Sequence, residues 1–152
     1  MSNGIKIVTK NRKAQYDYDL EDKFEAGLAL MGSEIKSIRA NKVSLREGFV
    51  QERDGELWLM NVHIAVYDEA SIFGHADPLR PRKLLLHKRE IAQISSRVRE
   101  RGYTVVPTML YLSKGKAKVE IALARGKHNY DKRQDIAKRD AERQMRRALK
   151  DY

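Results

Sequence analysis

There is no cysteine in this chain of 152 residues. Disulfides, thiolate metal sites and cysteine nucleophiles are therefore excluded together. No apolar run approaches the ~20 residues of a membrane-spanning helix. Met1-Ser2-Asn3-Gly4 lacks the apolar stretch of a signal peptide, and no lipidation box or internal repeat is present. The expectation is a cytoplasmic protein with no membrane partner. Catalytic groups are equally sparse. The four histidines, His63, His75, His87 and His128, do not pair with one another at metal-ligand spacing. His63 lies inside an apolar strand and reads as a structural histidine; His75-Ala76-Asp77 reads as loop. Glu21 and Asp22 are neighbours and in a regular strand point to opposite faces, which makes them poor partners for acid–base work. Lys114-Gly115-Lys116 lacks the strand–loop–helix setting of a phosphate cradle. The chain is expected not to be an enzyme and to hold no metal or cofactor.

What is present is positive charge. Lysine and arginine number 31 against 21 aspartate and glutamate, a net +10. The segment Arg125 to Tyr152 holds ten of the cations and five of the anions, so it carries half of the net charge. It has no proline, no glycine after Gly126, and only Ile136, Met145 and Leu149 as large aliphatic residues. Such a segment forms a helix only when an outside surface orders it, and its charge makes that surface polyanionic. The plain alternative is a solvated tail. The pairs Asp135 with Arg139 and Glu142 with Arg146 stand at helical spacing. Residues 1–124 then form the body and 125–152 a basic tail, disordered when free.

The body reads mostly as strands. Tyr16, Tyr18 and Leu20 alternate with Asp17 and Asp19, and Phe24, Ala26, Leu28 and Leu30 alternate with Glu25, Gly27 and Ala29. Asp54-Gly55 separates Phe49–Arg53 from Glu56–Ile64 as a hairpin turn. Ser113-Lys114-Gly115-Lys116 separates Val105–Leu112 from Ala117–Ala124, whose Ala117, Val119, Ile121 and Leu123 face inward. One short helix spans about Ser33 to Ala40. Another spans about His87 to Arg101, with Ile91, Ile94 and Val98 as its apolar stripe and Gly102 to end it. A loop with Pro78 and Pro81 lies between them, from Asp68 to Arg82. This predicts a mainly β protein: a small closed antiparallel barrel with two or three flanking helices, of the kind that presents one face to oligonucleotides. Cations beside aromatic or apolar residues, as in Asn11-Arg12-Lys13 before Tyr16 and Tyr18 and Arg80-Pro81-Arg82-Lys83 before Leu84-Leu85-Leu86, suit phosphates and unstacked bases.

Several motifs, in order, resemble the SsrA-binding, or small protein B, family. They are Asn11-Arg12-Lys13-Ala14, Glu25-Ala26-Gly27-Leu28-Ala29-Leu30, Gly32 through Arg39, Glu56-Leu57-Trp58-Leu59, Arg82 through Leu86, Val119 through Lys127, and Tyr130-Asp131-Lys132-Arg133. The resemblance covers about residues 5–150. It implies a bacterial, non-catalytic factor of trans-translation with an oligonucleotide-binding barrel. Such a protein binds transfer-messenger RNA, acts as a monomer in that complex, and delivers the RNA to stalled ribosomes. It implies that Asn11, Glu34, Leu85 and Lys118 meet the tRNA-like domain, with Glu34 either accepting from RNA or organising a cation such as Lys36 or Arg39; Lys36 and Lys127 are further expected RNA-binding cations. It also implies that the tail residues Tyr130, Asp131, Lys132 and Arg133, followed by Lys138 and Arg139, meet the decoding centre and message channel. The family usually has two lysines after the glycine, where this chain has Lys127-His128. The competing reading is another barrel-type single-strand RNA-binding translation factor or RNA chaperone. A nuclease is a third.

Overall fold

The computed structural model describes residues 5–66, 77–126 and 143–146. Its elements are β1 (Ile5–Lys10), α1 (Arg12–Asp17), β2 (Tyr18–Leu28), α2 (Gly32–Arg39), β3 (Val43–Ser44), β4 (Phe49–Arg53), β5 (Glu56–Met60), β6 (His63–Ile64), β7 (Arg82–Leu85), α3 (Lys88–Arg101), β8 (Thr104–Ser113) and β9 (Lys116–Gly126). The protein is mainly β with a few helices. Seven strands form one antiparallel sheet in the order β1-β8-β9-β2-β7-β5-β4; β3 and β6 pair separately.

Both predicted hairpins are present. The β4–β5 turn places Asp54 and Gly55 at positive φ, and the β8–β9 turn does the same with Lys114 and Gly115. Along β9, Ala117, Val119, Ile121 and Leu123 are buried, as the alternation requires, while Lys118 and Glu120 point outward and are half-buried. The core joins these residues to Ala26, Ile38, Leu45, Leu59, Leu84 and Ile94. Helix α3 buries Ile91, Ile94 and Ser95, and Gly102 ends it in the left-handed conformation. Val98, expected on the apolar stripe, is exposed because the buried face continues through Ser95 instead.

Four expectations need correction. First, no ladder closes the described sheet into a barrel. β4 lies against β8, but β8 already pairs with β1 on one edge and β9 on the other. β1 covers only Met109–Ser113, and the uncovered part of that edge holds Pro107, which has no N–H to donate to a ladder. Close packing takes the place of pairing there: a Cβ on Gly48, just before β4, would stand 2.9 Å from Pro107 of β8. Second, Tyr16 belongs to a helix. Asn11 caps α1, its Oδ1 accepting from the Ala14 N–H at 3.1 Å, and this local cap overrides the alternation read through Tyr16. Third, β5 stops at Met60, and His63 stands exposed on the two-residue β6 rather than inside a long strand. Fourth, Leu30 lies beyond the end of β2. β9 runs to Gly126, so Arg125 belongs to the sheet. Residues 143–146 form an exposed helical turn.

Candidate nucleic-acid interface

The outward face of the sheet has one row that crosses four strands. Tyr111 of β8 is paired with Lys118 of β9, Lys118 with Gly27 of β2, and Gly27 with Leu85 of β7. Directly paired residues share a face, so this row sets a cation, a gap and an apolar side chain side by side. Of the three consecutive leucines, Leu84 is fully buried, Leu86 packs partly against the core, and Leu85 is 53% exposed. A half-exposed leucine raised beside a glycine is a ridge. Two grooves flank it, and Gly27, Leu85 and Lys118 line both. One, of about 390 Å³, is completed by Leu30, Met31, Ile35 and Lys116. The other, of about 490 Å³, is completed by Glu25, Glu56, Lys83, His87, Lys88 and Glu90.

The ammonium groups of Lys88, Lys116 and Lys118 have no ion-pair partner among the described residues. Lys83, by contrast, stands 3.8 Å from Glu56. Unpaired cations around an apolar ridge can neutralise phosphates while the ridge covers a base. Glu25 adds an acceptor. It lies next to this row on β2, directly across from Glu120, and the buried Tyr111 donates its hydroxyl to it. Burial and the Glu25 carboxylate together hold the Tyr111 phenol protonated well above its ordinary range. Glu120 is satisfied in turn by the Thr108 hydroxyl at 2.5 Å. Two carboxylates facing each other across strands repel, and the two hydroxyls fix each in place. Sequence reasoning passed over Glu25. The signal was an acidic residue on the outward side of an alternating strand, two positions before a glycine.

The other expected contacts fall elsewhere. Asn11 is only 3% exposed. Its side-chain amide donates to the carbonyls of Leu45 and Pro107 at 3.0 and 2.8 Å while its oxygen caps α1. It joins α1, β8 and the segment before β4, with both amide hydrogens engaged inside the protein. Glu34 is fully buried. It accepts from the Met31 N–H at 2.8 Å, from Arg80 at 2.5 Å and from Arg82 Nε at 2.7 Å. Arg82, equally buried, also donates to the carbonyls of Val62 and Pro78. The cations that Glu34 organises are therefore Arg80 and Arg82 rather than Lys36 or Arg39. Burial alone would raise the Glu34 pKa; the bonds from Arg80, the Met31 amide and Arg82 outweigh it, and the carboxyl sits below its usual range. Lys36 is exposed on α2. A third groove, of about 410 Å³, lies between α1 and the β3 end and is rimmed by Lys10, Arg12, Lys13 and Arg46. Lys127, Tyr130, Asp131, Lys132, Arg133, Lys138 and Arg139 lie outside the described residues, as do His75 and His128.

The fold and this face define a class: a mainly β binding protein whose sheet carries a cationic platform with an apolar ridge. A family model described as SmpB protein matches residues 8–151. The SsrA-binding protein of Ligilactobacillus salivarius is 54% identical over 145 residues, covering 95% of this chain and 93% of that protein. That of Roseiflexus sp. strain RS-1 is 57% identical, covering 96% and 92%. A chain in a solved structure described as "tmRNA-SmpB: a journey to the center of the bacterial ribosome" superposes with a TM-score of 0.67 at 44% identity, covering 81% of this chain and 85% of that one. The chain belongs to the SmpB protein family.

Proposed function

We propose that this protein binds the tRNA-like domain of transfer-messenger RNA and brings it to stalled ribosomes for trans-translation, in the bacterial cytoplasm and without catalysis. The observation that carries the RNA contact is the row Lys118–Gly27–Leu85: an unpaired cation and an exposed leucine on adjacent positions of one sheet face. The curled sheet, with β4 against β8, supports an oligonucleotide-binding type of architecture. Leu85, Lys118 and Glu25 are the direct contacts in this reading, with Lys36 at the margin. Asn11 and Glu34 act through the scaffold, the first by fixing α1 to β8 and the second by holding the start of α2 and its Met31 at the groove.

The tail is assigned the ribosome. Residues 127–152 contain nine of the ten cations counted above, and rRNA supplies the polyanion that such a segment needs. Tyr130, Asp131, Lys132, Arg133, Lys138 and Arg139 are the candidate contacts in the decoding centre and message channel, and Lys127 is a further RNA-binding cation at the start of the segment. Relatives named SsrA-binding protein and a structural neighbour described with tmRNA and the ribosome support both halves of the reading. The test is a competition titration. A labelled tRNA-like domain held by the protein should be displaced by unlabelled transfer-messenger RNA at far lower concentration than by bulk tRNA or unstructured single strands. Equal competition by all three would replace this reading with that of a general single-strand binder.

A further inference from the structure

At the end of β9 three elements, α3, β9 and β2, converge around one ring. Gly102 ends α3 at a φ of 67° and so turns the next residue, Tyr103, inward, where it is 4% exposed. The Arg97 guanidinium of α3 lies over the Tyr103 ring at 5.0 Å, and that of Arg125 in β9 lies over it at 5.2 Å. Arg125 also donates to the Tyr103 hydroxyl at 2.8 Å. Each arginine has its own carboxylate: Asp22 at 3.1 Å from Arg97 and Glu21 at 3.9 Å from Arg125. Glu21 and Asp22 are sequence neighbours that a regular strand would send to opposite faces. They reach one cluster because β2 bulges there, its register against β9 shifting between Leu20 and Lys23.

This cluster lies one residue before the sheet ends at Gly126. The next 26 residues are the basic segment. We propose that Tyr103, held by Arg97 and Arg125, is a positioning residue for the tail: it fixes the point and direction in which the segment leaves the body. The inference rests on the two-part reading above. Its physical basis is effective concentration. A junction free to swivel spreads the following segment over many directions, whereas a fixed exit concentrates it where the RNA-loaded body presents it. Four charged side chains and a buried ring are more than one strand end needs for pairing, since the β2–β9 ladder already runs through Tyr18 and Gly126.

The experiment compares full-length protein, Tyr103→Leu, Arg97→Gln and Tyr103→Phe with a chain truncated after Gly126. Three quantities are read: melting temperature, affinity for the tRNA-like domain, and tagging of nascent chains on stalled ribosomes. Two cation–π interactions of the size usual at partly exposed sites correspond to about tenfold, so Tyr103→Leu should lower tagging by about that factor with RNA affinity unchanged. Arg97→Gln removes one of the two and should fall between, and Tyr103→Phe, which keeps the ring, should retain most tagging. Arg97 is partly exposed, so Arg97→Gln keeps the test decisive if Tyr103→Leu does not fold. Folded variants that tag like the full-length protein, or that lose RNA affinity in step with tagging, overturn the proposal. If the truncated chain itself tags normally, the two-part reading has failed instead.

Discussion

The Cβ of Leu85 lies 3.2 Å from where a Cβ on Gly27 would stand. The missing side chain on β2 is what lets the leucine ridge of β7 rise between its two grooves. Gly27→Ala should therefore tilt Leu85 and weaken binding of the tRNA-like domain by roughly 1–2 kcal/mol, the value of the apolar area that the ridge would cover on a base. Leu85→Ala should cost about the same affinity with little change in melting temperature, since Leu85 is 53% exposed. Unchanged affinity for both variants in an RNA titration would remove the ridge from the interface.

Lys118 makes a separate prediction. Its ammonium stands beside the ridge without an ion-pair partner among the described residues, so Lys118→Ala should remove one phosphate interaction. Affinity should fall by about 1–3 kcal/mol at low salt. The slope of log affinity against log salt should drop by about one. Titrations across a salt series read both, and an unchanged slope would show that this cation does not meet the RNA backbone.

Glu34 carries a stability prediction with a defined sign. Its folded pKa lies below the ordinary carboxylate value, so the carboxylate stabilises the fold at all pH above that ordinary value. The contribution disappears as pH falls through the lowered folded value. Glu34→Ala leaves Arg82 charged and buried, at a cost of about 3–5 kcal/mol in urea unfolding near neutral pH. Glu34→Leu combined with Arg82→Met, which removes both charges, should recover much of that loss. Equal destabilisation by the single and double variants would mean that packing, not charge pairing, explains the site.

The two hairpins, the inward side of β9 and the start and end of α3 were legible because each rests on local rules: a turn pair at positive φ, alternation, a glycine stop. The short α1 was lost to a competing signal. Tyr16, Tyr18 and Leu20 alternate like a strand, while the evidence for helix lay in one cap, Asn11, whose amide also reaches carbonyls 34 and 96 residues away. Closure of the barrel could not be judged from strand count, because it depends on whether the edges that meet can pair, and β8 presents Pro107 where β4 approaches. On the candidate interface, Lys118 was legible as an outward position in an alternating strand, whereas the apolar run showed only that one of Leu84, Leu85 and Leu86 faces away from the core; Leu85 itself came from the family resemblance. Glu34 and Glu25 were not separable by sequence. Both are acidic residues near cations, and only the register shows that one is sealed by Arg80 and Arg82 while the other stands on the platform beside Lys118.

The body and the tail divide the labour in this reading, and a single truncated chain tests that division. Ending the protein after Gly126 keeps Glu25, Gly27, Leu85 and Lys118 and removes Tyr130, Asp131, Lys132, Arg133 and the cations that follow. Measured on the same preparation, affinity for the tRNA-like domain should stay within about threefold of the full chain, a difference below ~1 kcal/mol, while tagging of nascent chains on stalled ribosomes is abolished. Loss of RNA affinity together with tagging would reduce the tail to a general electrostatic anchor, and full tagging by the truncated chain would contradict the assignment of the tail to the ribosome.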